Sequence, residues 1–206
     1  MSRRAFLFLG LAAGLAGCFR LSTPSPQVYS YQLSYDPPSL SGAPLSAVLR
    51  IAPVRVASVY DREAIVYRDG SFETGTYFYH RWATTPGSMI TDLLGRDFAS
   101  SGLYRAVEVG PSFVPSDYQL DCNVEVLEES VASNGCRARL RIRATLLRAS
   151  GGAGHPVLLQ APFEAEEPCA SNEPRDLVAA MSRAMSAISA EMQQRVRDAI
   201  EKAPRH

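Results

Sequence analysis

Three stretches of two-residue alternation in the back half of the chain constrain its fold more than any other feature. Tyr118, Leu120, Cys122, Val124 and Val126 alternate with Gln119, Asp121, Asn123 and Glu125. Cys136, Ala138, Leu140, Ile142, Ala144 and Leu146 alternate with Arg137, Arg139, Arg141 and Arg143, and Val157, Leu159, Ala161, Phe163 and Ala165 follow the same rule. Successive side chains of a strand point to opposite faces, so each stretch predicts a strand with one buried and one solvated side. A sheet with a single apolar face needs a cover. Beyond Pro174, the residues Leu177, Val178, Met181, Met185, Ile188, Met192, Val196 and Ile200 form one stripe at helical spacing. At about 1.5 Å per residue that helix runs ~40 Å, enough to cross a sheet.

The glycine-rich segment Ser150 to His155 turns the second of these strands into the third. Centred between Gly152 and Ala153, the turn sets Arg139 opposite Glu166 and Arg141 opposite Glu164, so opposite charges meet on the solvated face. The same register puts Cys136 opposite Cys169 on the inner face. In an oxidising compartment this predicts a disulfide between them, with Cys122 left as a core thiol. A one-residue slip would turn the arginines into the core.

The front half reads less regularly. Val28 to Tyr35 alternates tyrosines with polar residues and ends at Asp36-Pro37-Pro38, and Val48 to Val56 is a second strand interrupted by Pro53. Ile65 to Arg68 and Thr76 to Tyr79 form a hairpin through Asp69-Gly70. Thr85 caps a helix with Pro86 in its first turn, Met89, Ile90, Leu93, Leu94 and Phe98 on its apolar side and Gly102 at its end. Tyr104 to Val109 returns as a strand. The expectation is one α/β domain whose mixed, mostly antiparallel sheet is packed by two main helices.

The first residues set the compartment. Arg3 and Arg4 precede the uncharged stretch Ala5 to Leu15, which is too short to span a bilayer and has the length of a signal-peptide core. Leu15-Ala16-Gly17-Cys18 then reads as a bacterial lipobox, with residues 1–17 removed and lipid built on Cys18. At about 0.8 kcal/mol per buried methylene, several acyl chains on one cysteine make an effectively permanent anchor. Phe19 rather than aspartate follows, which by analogy with sorting in double-membraned bacteria directs the chain to the periplasmic face of the outer membrane. Ser2 to Leu7 also resembles a twin-arginine signal, so the export route stays open. Residues 18–27, with Pro24 and Pro26, form a tether that at about 3.3 Å per residue lets a domain over 28–202 stand up to ~30 Å from the bilayer.

Chemistry is sparse. His80, His155 and His206 lack metal-ligand spacing, and no nucleophile elbow, phosphate-binding glycine loop or dinucleotide fingerprint occurs. Glu164, Glu166 and Glu167 alternate opposite arginines, which reads as a solvated face rather than a pair of catalytic carboxylates. No enzyme, metal or cofactor is expected. The balance of Lys+Arg 21 against Asp+Glu 21 gives no reason to expect nucleic acid or an anionic surface as partner. Tyr77-Phe78-Tyr79-His80-Arg81-Trp82 is an aromatic run of the kind favoured at interfaces, with Tyr79, Arg81 and Trp82 as candidate partner-binding residues. A tryptophan that staples the start of a helix to the core would satisfy the same pattern.

These elements together resemble the ABC-type transport auxiliary lipoproteins, the PqiC-like family. The likeness rests on the lipobox cysteine, on Tyr31-Gln32-Leu33, and on Ile65-Val66-Tyr67-Arg68 through Tyr79-His80-Arg81-Trp82 to Pro86. It extends over the helix from Met89 to Phe98, Val107-Glu108-Val109 and the long closing helix. The resemblance implies a fold similar to the N-terminal domain of TolB. It also implies a non-enzymatic periplasmic accessory to transporters built from an ATPase, a permease and an MCE substrate-binding protein, which move lipids between two membranes. A homo-oligomer stays open, as does the alternative of an envelope scaffold serving cell-wall or secretion machinery. The disulfide is not part of the family pattern and rests on register alone.

Overall fold

The structure is a computed structural model that describes residues 26–132, 135–149 and 156–204. The leader, Cys18 and the turn from Ser150 to His155 lie outside the described residues. The three alternating stretches form the long strands β7 (Tyr118–Ala132), β8 (Gly135–Arg148) and β9 (Val157–Pro168), antiparallel in that order. Arg139 pairs with Glu166 and Arg141 with Glu164, the register the charges demand, and Ile142 meets Phe163 on the inner face. There Ala138, Leu140, Ile142, Ala144 and Leu146 are all buried, beneath the methionine-rich stripe of the closing helix α2 (Pro174–Lys202).

One expectation on β7 fails for a local reason. Val124 pairs with Ile142 but Val126 with Arg141, so a bulge at Glu125 adds one residue to β7 and reverses its parity. Leu127, opposite Leu140, takes the buried place expected of Val126. Beyond the bulge Glu129 falls on the inner face and Glu128 on the outer.

The other edge of β7 is shared in turn by three parallel neighbours. These are β2 (Leu45–Ile51), β3 (Arg55–Val56) and β4 (Ala64–Asp69), with Leu49 beside Tyr118, Arg55 beside Asn123 and Tyr67 beside Glu129. The strand expected over Val48 to Val56 is therefore two, because Pro53 has no N–H to give the ladder. Residues 57–63 leave the sheet at the level of the bulge, and Tyr60 is buried there. Outside β2 lies β6 (Tyr104–Val109), and outside β4 lie β5 (Glu73–Trp82) and β1 (Tyr29–Tyr31), completing a nine-stranded mixed sheet that forks at β7. The long pairings are antiparallel and the parallel ones short. The hairpin of β4 and β5 turns through Gly70 at φ 62, a value a side chain would strain.

Helix α1 (Pro86–Ser100) packs on β2, β3 and β6 and stops before Gly102 at φ 65. Thr85 holds the cap position, but its hydroxyl meets Ser88 Oγ at 3.0 Å rather than a backbone N–H. The first strand is shorter than its tyrosine pattern suggests, because after Tyr31 the chain leaves the sheet and binds both helices. Leu33 is buried with its N–H on Met89 Sδ of α1 at 3.5 Å, and the Ser34 N–H donates to Ser182 Oγ of α2 at 3.1 Å. Tyr35 then donates its hydroxyl to Asp97 Oδ2 at 2.7 Å. Asp97 is fully buried and also accepts from Ser189 Oγ at 2.6 Å and from the Arg96 guanidinium at 2.7 and 2.9 Å. One carboxylate thus joins α1, α2 and the strap between them.

Candidate docking surface

The aromatic run lies on β5, where the ladder is interrupted. Ala64 of β4 pairs with Arg81 but Val66 pairs with Thr76, so Tyr77 to His80 bow out from β4. From the far side β1 holds the bow, with Tyr29 beside His80 and Tyr31 beside Trp82. The His80 ring stacks on Tyr29 at 5.3 Å and on Tyr31 at 5.8 Å, and the Tyr31 hydroxyl lies 2.9 Å from its Nδ1. Tyr77 meets the same ring edge-on, packs edge-on against Tyr67 and donates its hydroxyl to Glu129 Oε2 at 2.6 Å. Burial and the Glu129 carboxylate push the Tyr77 phenol well above its ordinary range, so it stays a donor. Glu129 itself is buried, and its inward position follows from the bulge in β7.

This clamp decides what the bow presents. Phe78 is 88% and Tyr79 43% exposed, their rings 5.7 Å apart, and the half-exposed Arg81 lies 3.7 Å from Glu63. Trp82 departs from the expectation of a partner-binding residue: at 2% exposure its ring belongs to the core and is not offered to a partner. The surface is therefore Phe78, Tyr79 and Arg81. The exposure of Phe78 does not follow from the strand period, because a bulged strand breaks the inside-outside parity.

The arginine row of the outer face is neutralised. Arg137 meets Glu166 at 2.5 Å, Arg141 meets Glu125 at 3.0 Å and Glu164 at 3.7 Å, and Arg143 meets Glu125 at 2.6 Å. Exposed pairs of this kind contribute on the order of 0–1 kcal/mol each, so the face is charge-balanced rather than a recognition surface. Glu128 differs, being buried among Arg68 at 2.7 Å, Arg139 at 3.3 Å and the Tyr60 hydroxyl at 2.5 Å. It holds the 57–63 excursion onto the sheet. Glu167 pairs with Arg183 of α2 at 3.3 Å. Among the described residues no group of three His, Cys, Asp or Glu side chains is placed to hold a metal, and no helix is long and apolar enough to cross a membrane.

Cys136 and Cys169 are joined in a disulfide with their Cα atoms 5.3 Å apart, tying the start of β8 to the end of β9. Cys122 is free and buried beside Met192, and desolvation pushes its thiol up to about 12. Since the thiolate is the reactive form, Cys122 in the folded chain should resist iodoacetamide at pH 8 and react once denatured. Mass spectrometry of alkylated peptides checks this, and native labelling at Cys122 would contradict its placement.

In fold and surface this is a single α/β domain with an exposed aromatic ridge on β5. The chain belongs to the ABC-type transport auxiliary lipoprotein family, whose model matches residues 31–193, from the end of β1 far into α2. Its fold is similar to the crystal structure of a Xanthomonas campestris protein of the DUF330 family. That protein is 23% identical, with a TM-score of 0.77 over 85% of this chain and 98% of the other. A hypothetical protein from Chlamydia trachomatis is more distantly similar, 10% identical with a TM-score of 0.51 over 76% of this chain and 96% of that one. No curated protein matches the chain.

Proposed function

We propose that this chain is a non-enzymatic, lipid-anchored accessory of an ABC transporter that contains an MCE substrate-binding protein, acting in lipid transport between two membranes. Residues 1–17 are the leader, Cys18 carries the lipid, 18–27 are the tether and 28–202 the working domain, held at the periplasmic face of the outer membrane. The observation that carries the reading is the family match over residues 31–193, which takes in the aromatic ridge and, apart from Tyr29, the clamp behind it. The mechanism is geometric. Lipid fixes one end, and Phe78, Tyr79 and Arg81 grip the MCE protein. Two aromatic rings and a guanidinium on a rigid strand are the side chains that concentrate binding energy at protein interfaces. The start of β1 favours this role, because Tyr29 pairs with His80, two residues from Phe78.

Two measurements test the two halves separately. Cys18→Ala should abolish incorporation of radioactive palmitate and leave the leader uncleaved, whereas unaltered labelling and membrane fractionation would end the anchor assignment. Tyr79→Asp combined with Arg81→Glu should cut recovery of the MCE protein with the tagged chain about tenfold, as loss of an interface anchor does. Both residues are surface-exposed, so the fold should persist. Undiminished recovery would remove the ridge from the interface.

A further inference from the structure

The turn that joins β4 to β5 carries a side chain that serves neither the turn nor the core. Gly70 supplies the positive φ the turn needs, whereas Phe72, two positions on, is 95% exposed and stands outside the core. Val131, registered with Asp69, is 42% exposed at the same end of the sheet. Asp69 and Glu73 face each other at the base of the tip, both exposed and without an ion-pair partner among the described residues. Arg68, the cation next in sequence, is taken by Glu128. Like charges set opposite one another repel, so the base of the tip favours a surface that brings ammonium groups to it.

The start of the chain lies on the same side. β1 runs parallel to β5, with Tyr29 beside His80, so the chain enters β1 from the side on which the tip lies. β4 passes from Ala64, opposite Arg81, to Asp69, opposite Glu73, in five residues, about 17 Å. Residues 18–27 reach up to ~30 Å, long enough for a lipid on Cys18 to lie in the plane of the tip. Burying one phenylalanine ring contributes about 1.5–3 kcal/mol, too little to recruit a free protein. For a chain already held by lipid the step is intramolecular, and the same energy keeps the ring inserted most of the time.

We propose that the tip between β4 and β5 is a second membrane contact, with Phe72 seated in a zwitterionic, ethanolamine-bearing phospholipid surface and Asp69 and Glu73 meeting its ammonium groups. The inference rests on the lipid-anchored reading given above. Two attachments, the lipid and the tip, restrict the tilt of the domain and hold the Phe78 ridge away from the bilayer, where a protein can reach it. A pocket on a protein partner would take the same ring without using the nearness of the anchor, and the test separates the two.

The chain contains a single tryptophan, the buried Trp82, so Phe72→Trp adds a reporter at the tip. The purified mature chain, beginning at Cys18, is coupled through that cysteine to a maleimide phospholipid in vesicles of phosphatidylethanolamine and phosphatidylcholine, which supplies an anchor whether or not cells build one. Cys122 is buried and the other two cysteines are bonded to each other. Bromine placed near the headgroup end of the acyl chains should quench the added emission about twofold, as expected of a ring that is inserted most of the time. The same reporter at Phe113, the exposed ring of the loop between β6 and β7, should be unaffected. Replacing half of the lipid by phosphatidylglycerol should relieve the quenching, and Asp69→Asn with Glu73→Gln should restore it. Unquenched tip emission, equal quenching at Phe113, or indifference to phosphatidylglycerol would each overturn the proposal. So would a photo-crosslinker at Phe72 that captured protein rather than phospholipid in cells. The anchor itself is read separately, by palmitate labelling of Cys18, so the two claims fail on different results.

Discussion

Asp97→Ala should lower the unfolding free energy by about 3–5 kcal/mol, the range seen when one partner of a buried, hydrogen-bonded charge network is removed. The carboxylate has no solvent exposure, and its loss removes the acceptor to which the hydroxyls of Tyr35 and Ser189 donate. Arg96, more than a third exposed, can turn to water, so most of the loss comes from the two buried donors. The effect should also be local in character, with amide exchange rising first in Leu33 to Tyr35 and at the facing turns of α1 and α2. Asp97→Asn keeps an acceptor and should cost about 1–2 kcal/mol. Denaturant unfolding of the three proteins checks the series, and an Asp97→Ala midpoint within error of the parent would refute the role given to this residue.

Breaking the disulfide is the second large effect. Cys136 and Cys169 are separated by 33 positions, and closing a loop of that size in the unfolded chain is worth about 3–4 kcal/mol. The bond also pins the open end of the hairpin formed by β8 and β9, where the Cys169 N–H donates to the Cys136 carbonyl at 3.0 Å. Cys136→Ser with Cys169→Ser, or reduction of the parent, should therefore lower the thermal midpoint by several degrees while the register of Arg139 with Glu166 survives. The charges and the inner apolar row specify that register without the sulfurs. Equal midpoints with and without reductant would mean that the bond contributes nothing.

How far the sequence could be read depended on whether the forces at a position were local. The hairpin of β8 and β9 was legible from Arg137 to Leu146, because arginines on one strand and glutamates on the next admit one pairing in which no charge is buried. Nearer the turn an extra residue at Leu158 shifts the register and leaves Val157, expected on the inner face, exposed. Both helices were legible from their stripes. The forked sheet was not, since β2, β3 and β4 dock on β7 from more than fifty residues away, and nothing in their own composition names that neighbour. The bulges were not legible either. A single extra residue at Glu125 moved Val126 off the core and brought Glu129 in, and the wider bow in β5 exposed Phe78 while burying Trp82. Asp97 did leave a trace. It falls on the same helical stripe as Ile90, Leu94 and Phe98, and a carboxylate there announces a buried network even though its partners cannot be named from sequence.

The proposed contact joins the Phe78–Arg81 ridge to a transporter subunit. It is tested most directly by placing a photo-crosslinking amino acid at Phe78 in the full-length lipoprotein, irradiating growing cells, and identifying the adduct by mass spectrometry. The expected result is a single major adduct with the MCE protein of an ABC transporter, lost when the crosslinker is moved to the charge-balanced outer face at Arg141. A major adduct with cell-wall or secretion machinery, or equal capture from both positions, would contradict it.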